Sequence, residues 1–392
     1  MIASMRRKRV VAGVLASLSV AACGGGDGDA PPKRAAAPAA TVTPAPAPAE
    51  AAPEPPAPVR ITISASGDLL PHLPIVAQAR AHARGGAQYD FAPMFRSLRP
   101  LIRRADLALC HVETPLVPGA PAGYPLFRTP PALARAIRRT GWDACSTASN
   151  HSVDAGQAGV DSTARALSRA GVRHTGSFSS PEARKRPLII DVRGVRVAFL
   201  SYTASTNGLP LPHPWSVNLA QPERVIADAR RARRAGAQVV IANMHWGTEY
   251  SHQPDTEQRR IAERVMRSRA VTAIVGQHAH VVQPIRRVRG RWVVFGEGNL
   301  LSNQTTACCP AASQDGLVAL LHVRVDGEQA RVERVEYTPT WVRHPDYEVL
   351  PVGRALAAGQ ANAGALRASW RRTVAVAGRS ARLSPRPRRL PG

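Results

Sequence analysis

The sequence predicts an α/β domain built on a mixed sheet. Short apolar runs alternate with longer amphipathic segments from residue 59 to about 350, which is the rhythm of strands covered by helices. The amphipathic segments place arginine on the solvent-facing positions. One pair of apolar runs, Arg186 to Thr203, is separated by Arg193-Gly194 and reads as a hairpin, so the sheet is mixed rather than purely parallel.

In chain order, strands are expected at Arg60 to Ser66, Asp106 to Val112, Ala144 to Ser149, Leu188 to Asp191, Val195 to Thr203, Gln238 to Met244, Val271 to Val275, Arg291 to Phe295 and Leu317 to Val325. Each is a run of apolar residues of strand length. Helices are expected at about 74–84, 92–104, 131–140, 157–170, 221–235 and 256–269, where the apolar residues recur at helical spacing. No internal repeat is visible. These elements make one domain at 59–350, and 351–392 is expected to be a helical extension followed by a basic disordered tail. Residues 371–392 carry seven Arg and no acid, and Pro385, Pro387 and Pro391 interrupt any helix.

The amino terminus has a different character. Met5-Arg6-Arg7-Lys8-Arg9, an apolar run from Val10 to Val20 and then Ala21-Ala22-Cys23 follow the order of a secretory signal over 1–22. Val20-Ala21-Ala22-Cys23 resembles the bacterial lipobox, which implies cleavage before Cys23, lipidation of its thiol and attachment to the outer face of the cell membrane. Diacylation would make that anchoring lasting. Residues 23–58 form an Ala/Pro-rich tether: from Pro31 to Pro58, 21 of 28 residues are Pro or Ala, with almost nothing to bury.

Composition excludes several classes. Five cysteines in 392 residues are too sparse for a disulfide scaffold, and 44% apolar content supports a core. No run of eighteen apolar residues exists to span a bilayer. The formal charge of +25 points to an anionic partner, and only three of the 52 basic residues are Lys. Four of the positive charges lie in the signal, and the body from 59 to 370 holds +16. On an exported chain with few aromatics and no basic helix motif, that excess indicates an acidic envelope polymer or lipid and no nucleic acid.

Chemistry-bearing residues follow the carboxyl ends of the strand runs: Asp68, Glu113, Asn150 and His151, His245, His278 and His280, and Asn299. In open α/β sheets ligands bind in the crevice outside those ends, so residues far apart in sequence can meet there. Asp, Glu, Asn and His are the oxygen and nitrogen donors of a divalent transition metal. The His278-Ala279-His280 spacing lets two imidazoles ligate jointly from one turn. His72 and His111 are possible additional ligands. Arg128, which can grip an acidic group with both arms of its guanidinium, and Glu249 and Tyr250, beside His245, are candidate substrate-binding residues.

Gly67-Asp68, Glu113-Thr114-Pro115, Ser149-Asn150-His151 with Asp154 and Gly156, His245-Trp246-Gly247 with Glu249-Tyr250, Gly276-x-His278-x-His280 and Gly296-x-Gly298-Asn299 together resemble the CapA family of poly-γ-glutamate capsule synthesis. The resemblance runs in order from about residue 60 to 345. That family is similar to the calcineurin-like metallophosphoesterases, which implies a metallophosphatase-like αββα sandwich of two mixed sheets in a single catalytic-type domain. It also implies one or two divalent metal ions (Mn, Zn, Fe or Mg). Asp68 and His280 would ligate the first metal and Glu113 would bridge. Asn150, His245 and His278 would hold the second, and His151 would be the catalytic general acid or substrate-polarising residue. Two departures stand out: Asp68 is followed by Leu69-Leu70 where that superfamily has Asp-x-His, and the bridging residue is Glu113 rather than Asp.

The implied role is a membrane-anchored, metal-dependent hydrolase or transpeptidase in the synthesis, release or export of poly-γ-glutamate or another envelope polymer, with other capsule-synthesis proteins as the implied partners. The alternative is a non-catalytic polymer-binding or export subunit. Cys110 and Cys145 lie in strand runs and are either buried thiols or, if the strands neighbour each other, a disulfide. Cys308-Cys309 lie in a loop, and the sequence leaves their pairing open.

Overall fold

The computed structural model describes residues 57–360 and 362–390. The signal-like segment, Cys23 and the tether up to residue 56 lie outside the described residues.

The described strands are β1 (Val59–Ser66), β2 (Asp68–Leu70), β3 (Leu107–Val112), β4 (Ala144–Ser146), β5 (Arg173–Thr175), β6 (Leu188–Val192), β7 (Val195–Thr203) and β8 (Val239–Trp246), followed by β9 (Ala273–His278), β10 (Ile285–Val288), β11 (Arg291–Val294), β12 (Asn299–Ser302), β13 (Asp315–Asp326), β14 (Gln329–Val342), β15 (Val349–Pro351) and β16 (Leu383–Pro385). They form two mixed sheets. One runs β12-β2-β3-β1-β13-β14-β15, with β4 and β5 continuing from β3 and β16 added to β14; the other runs β10-β11-β9-β8-β7-β6. The expected hairpin is β6–β7, antiparallel from Leu188↔Phe199 to Val192↔Val195.

Alternation along the strands explains why the sheets stack. Ile61, Ile63, Leu107 and Leu109 of the first sheet share a core with Val197, Phe199, Val239, Ile241 and Val275 of the second. The intervening residues of the central strands face outward and are covered by helices, so β3 and β8 are buried along their whole length. On the first sheet Leu69, Ala108, Cys110 and Val112 pack with α1 (Leu73–His82) and, after the short α2 (Arg99–Ile102), with α3 (Ala132–Thr140). α4 (Gly156–Arg169) and the short α5 (Pro181–Lys185) follow. On the second sheet Ala198, Leu200, Val240, Ala242 and Met244 pack beneath α6 (Pro222–Arg234) and α7 (Thr256–Arg267). The result is the four-layer αββα arrangement. No helix of the described residues is long and apolar enough to cross a membrane.

Three expectations need correction. The helix expected over 92–104 is broken into a 3₁₀ turn at Ala92–Phe95 and the single α-turn of α2, with Pro93 and Pro100 each opening a new segment. The long strand β14 was not foreseen. The tail beyond the helical extension is also ordered: α8 (Val352–Ala357) and α9 (Ala363–Ala377) lead into β16, which pairs in parallel with Val335–Tyr337. Arg386 pairs with Glu336, Arg372 grips Asp315 through two bonds of 2.7 and 2.9 Å, and Leu383 is buried in the inter-sheet core. Those acids and that apolar contact give the basic segment a docking place on the domain.

Candidate metal centre

Parallel pairing of β3 with β2 and β4, and of β7, β8 and β9 with one another, points these strands' carboxyl ends to one edge. There the two sheets bring together Asp68, His111 and His245 as one group, and Glu113, His278 and His280 as another. Within each, a ligating atom of every residue lies within 4.8 Å of the others'. The groups adjoin, because His280 lies 3.4 Å from Asp68 Oδ2 and 3.6 Å from Glu113 Oε1, and His245 lies 3.8 Å from Glu113. His280 faces both carboxylates, and His245 lies 3.8 Å from Asp68 as well as from Glu113.

His111 belongs to the centre. It stands directly across from Asp68 in the β2–β3 register, and its Nε2 lies 3.7 Å from Asp68 Oδ1. His72 does not join either group. Its Nδ1 meets the Leu70 carbonyl at 3.0 Å, and its ring packs edge-on against Phe127.

The hydrogen bonds fix which imidazole nitrogen is free. Ser146 gives its one hydroxyl proton to the Cys110 carbonyl, so it accepts from His111 Nδ1 at 2.6 Å. His111 Nε2 is then a lone pair, buried and without a partner. His245 Nε2 donates to Asn150 Oδ1 at 2.8 Å, leaving its Nδ1 buried and unpartnered. Asn299 spends its amide protons on Gln304 Oε1 and the Ser313 carbonyl, so its oxygen accepts from His280 Nδ1 at 3.0 Å. One nitrogen anchored to an oxygen and the other aimed at carboxylates is the pattern of metal-ligating histidine. Both carboxylate oxygens of Glu113 and Nδ1 of His278 are likewise buried without partners. Such a set of orphaned donors is costly unless a cation satisfies it, so the residues present fit divalent metal.

The charges agree. Burial pushes His111 and His278 down to about 4 and His245 well below its ordinary value, which keeps them neutral, the form that binds metal. Burial lowers His72 to about 4 as well. Burial raises the Glu113 carboxyl. Burial would also lower His280, but the facing Glu113 and Asp68 carboxylates outweigh it and lift that imidazole to about 10. This pair retains a proton that a bound cation would displace.

Metal bound only by the folded chain should raise its stability, by about 2.7 kcal/mol at a hundredfold excess over the dissociation constant. Thermal unfolding with Mn²⁺ or Zn²⁺ and with a chelator should show the difference. A midpoint indifferent to both would contradict metal binding.

The other candidates divide. His151 is nearly buried beside the cluster; its Nδ1 meets Asp154 Oδ2 at 2.7 Å, and Phe127 packs edge-on against its ring. Asp154 also accepts the Phe127 N–H at 2.7 Å, so one carboxylate sets both the ring and the loop that shields it. Asn150 is tied to His245 and, through its amide, to Asn207 at 3.2 Å. Glu249 acts through space on Glu113, His280 and Tyr250. Tyr250 is half-buried, with its ring centroid 6.2 Å from that of His280. Arg128 is exposed, without a hydrogen bond or ion pair to its guanidinium among the described residues, while its backbone pairs with Ala122. The supporting partners Ser146, Asp154 and Gln304 had no role assigned from sequence; only Asp154 stood within a motif. Cys110 and Cys145, paired across β3 and β4, form a buried disulfide, and Cys308 and Cys309 are bonded to each other.

Comparison with known proteins gives consistent relatives. The family model described as bacterial capsule synthesis protein PGA_cap matches residues 62–304, more than half of the chain. The chain is 24% identical over 251 residues to the capsule biosynthesis protein CapA of Bacillus anthracis, covering 61% of this chain and 60% of that one. It is 26% identical over 255 residues to the PGA biosynthesis protein CapA of Bacillus subtilis, covering 63% and 64%. The chain thus spans less than two thirds of the length of these curated relatives. Among solved structures, the calcineurin-like phosphoesterase YfkN of Bacillus subtilis aligns with a TM-score of 0.47 at 16% identity, over 80% of this chain and 100% of that one.

Proposed function

The chain belongs to the bacterial capsule synthesis protein family PGA_cap, and on that premise we propose that it is an exported, lipid-anchored, metal-dependent hydrolase or transpeptidase acting on an anionic envelope polymer. Poly-γ-glutamate is the leading substrate, because the similar Bacillus subtilis protein is named for PGA biosynthesis. Other capsule-synthesis proteins are the proposed partners. Anchoring through Cys23 rests on the signal-like segment.

One observation carries the catalytic reading: a buried, orphaned donor set lies beside a histidine that a carboxylate holds in place. Asp68, Glu113, His111, His245, His278 and His280 would hold the metal, with Asn150 bracing His245. A bound divalent ion would supply Lewis acidity to polarise the attacked group and stabilise developing negative charge. The chain's own residues supply the rest. Asp154 holds the Nδ1–H of His151, so Nε2 faces the site, where its lone pair can take up a proton and then hand it to the leaving atom. Phe127 covers one edge of that ring and limits water around it. Arg128, exposed and without an ion-pair partner among the described residues, would engage an acidic group of the polymer.

A polymer-binding or export subunit would need the acidic-polymer contact but not the His151–Asp154 pair, and that pair favours the enzyme. The test is to incubate the mature protein, loaded in turn with Mn²⁺, Zn²⁺, Fe²⁺ and Mg²⁺, with poly-γ-glutamate and with a phosphodiester substrate. Metal-dependent shortening or transfer of the γ-glutamyl chain is expected. Polymer binding without turnover under every metal would move the assignment to the binding subunit.

A further inference from the structure

We propose that Cys308–Cys309 is a thiol–disulfide exchange site at the rim of the metal centre, and that its redox state is transmitted to His280. Cys308 is exposed, in the loop between β12 and β13, and is bonded to its immediate neighbour Cys309. The other disulfide, Cys110–Cys145, is 2% and 0% exposed inside the first sheet, so a reductant can reach only the loop pair. The two bonds are therefore chemically separable in the native protein.

The loop pair is wired to the centre. The Tyr250 hydroxyl donates to Cys309 Sγ at 3.7 Å and accepts from Gln304 Nε2 at 3.1 Å. Gln304 Oε1 accepts from Asn299 Nδ2 at 2.8 Å, and Asn299 Oδ1 accepts from His280 Nδ1 at 3.0 Å. Four hydrogen bonds thus run from the disulfide sulfur to an imidazole that faces Asp68 and Glu113. Tyr250 is a poised element in this line: its backbone sits at φ 63°, a left-handed conformation that a tyrosine rarely adopts, held by its N–H on the Ala279 carbonyl at 2.7 Å.

The chemistry balances with an external thiol. A thiolate attacks the exposed Cys308 sulfur, the S–S bond breaks, and Cys309 leaves as a thiolate that takes up a proton. A second thiol resolves the mixed disulfide. In sum, Cys308–Cys309 gains two electrons and two protons while two R–SH become R–S–S–R. The reductant is a small thiol or a dithiol protein of the exported compartment. Opening the bond releases the small ring that ties the two adjacent side chains, so Cys309 Sγ can turn away, Tyr250 loses its fixed sulfur partner and His280 its remote brace.

Both links can be tested on the mature chain without any turnover assay, so a failed hydrolase assignment leaves the proposal open to test. Native treatment with a water-soluble thiol reductant, alkylation and peptide mass analysis should label Cys308 and Cys309 and leave Cys110 and Cys145 unlabelled. In ¹⁵N-histidine-labelled protein the His280 ring signals should shift on reduction. The Mn²⁺ dissociation constant should rise by roughly three- to tenfold, below the ~10–100-fold typical of losing a direct partner of a ligand. Tyr250→Phe should keep the thiol chemistry but lose the response at His280, and the double variant C308A/C309A should ignore the reductant. Resistance of Cys308–Cys309 to reduction, or a His280 response equal in wild type and Tyr250→Phe, would overturn the proposal.

Discussion

His151→Ala should lower turnover by about 10²- to 10⁴-fold while metal content stays at the wild-type level, the loss expected when a positioned general acid is removed. The side chain adjoins the donor cluster without being one of its grouped ligands, and its only hydrogen-bonded partner among the described residues is Asp154, at 2.7 Å. Asp154→Asn should cost less, about 10- to 100-fold, because the ring remains but its tautomer and aim are no longer fixed. Steady-state kinetics paired with elemental analysis separates the effects. Full activity in His151→Ala would remove the acid role, and loss of metal in that variant would make the residue a ligand instead.

Gly67→Ala should be strongly damaging for so small a change, costing about 3 kcal/mol or more of stability. A methyl group there would collide with the Gly298 carbonyl oxygen, the acceptor of the Asp68 N–H at 3.0 Å. Both colliding partners are backbone, so no rotamer change relieves the clash. Gly298 cannot easily retreat: its φ is 69°, and a Cβ there would lie 2.6 Å from the Asp315 carbonyl oxygen. The β2–β12 seam that carries Asp68 and Asn299 is therefore built from backbone contact. Urea unfolding of Gly67→Ala against Gly364→Ala, an exposed glycine of α9 with open space around it and no left-handed φ, measures the cost. Equal midpoints would show that the seam yields.

The legible parts of this fold are those whose physics is local. β7 and β8 announce themselves as apolar runs, and α7 by its apolar face; their bounds depart from expectation by two residues at most. β14 escaped because its pattern is broken. A bulge beside His322–Val323 inserts one residue, so Val332 and Val335 both face the core three positions apart, among Arg331, Glu333 and Arg334. The signal that was present was Asp326-Gly327, a hairpin turn opening straight into that strand. The ordered tail escaped for a different reason: proline and arginine describe a segment's own preference, not the Glu336 and Asp315 carboxylates waiting on distant strands.

The same divide runs through the site. Asp68, Glu113, His245, His278 and His280 follow strand ends, which a linear reading can see. The place of His111 could not be read, because it depends on which strands pair; Asp68 across from His111 is a fact of the β2–β3 register. Ser146 and Gln304 act only through hydrogen bonds between separate segments, and nothing in their local sequence marks them; Asp154 stood within a motif, but its bond to the Phe127 N–H joins two segments.

Whether these six side chains hold metal is tested most directly by anomalous diffraction from crystals grown with Mn²⁺. Strong anomalous density is expected among Asp68, Glu113, His111, His245, His278 and His280, and its loss is expected in Asp68→Asn. Crystals that show no anomalous peak at this cluster with Mn²⁺, and none when Zn²⁺ replaces it, would contradict the account.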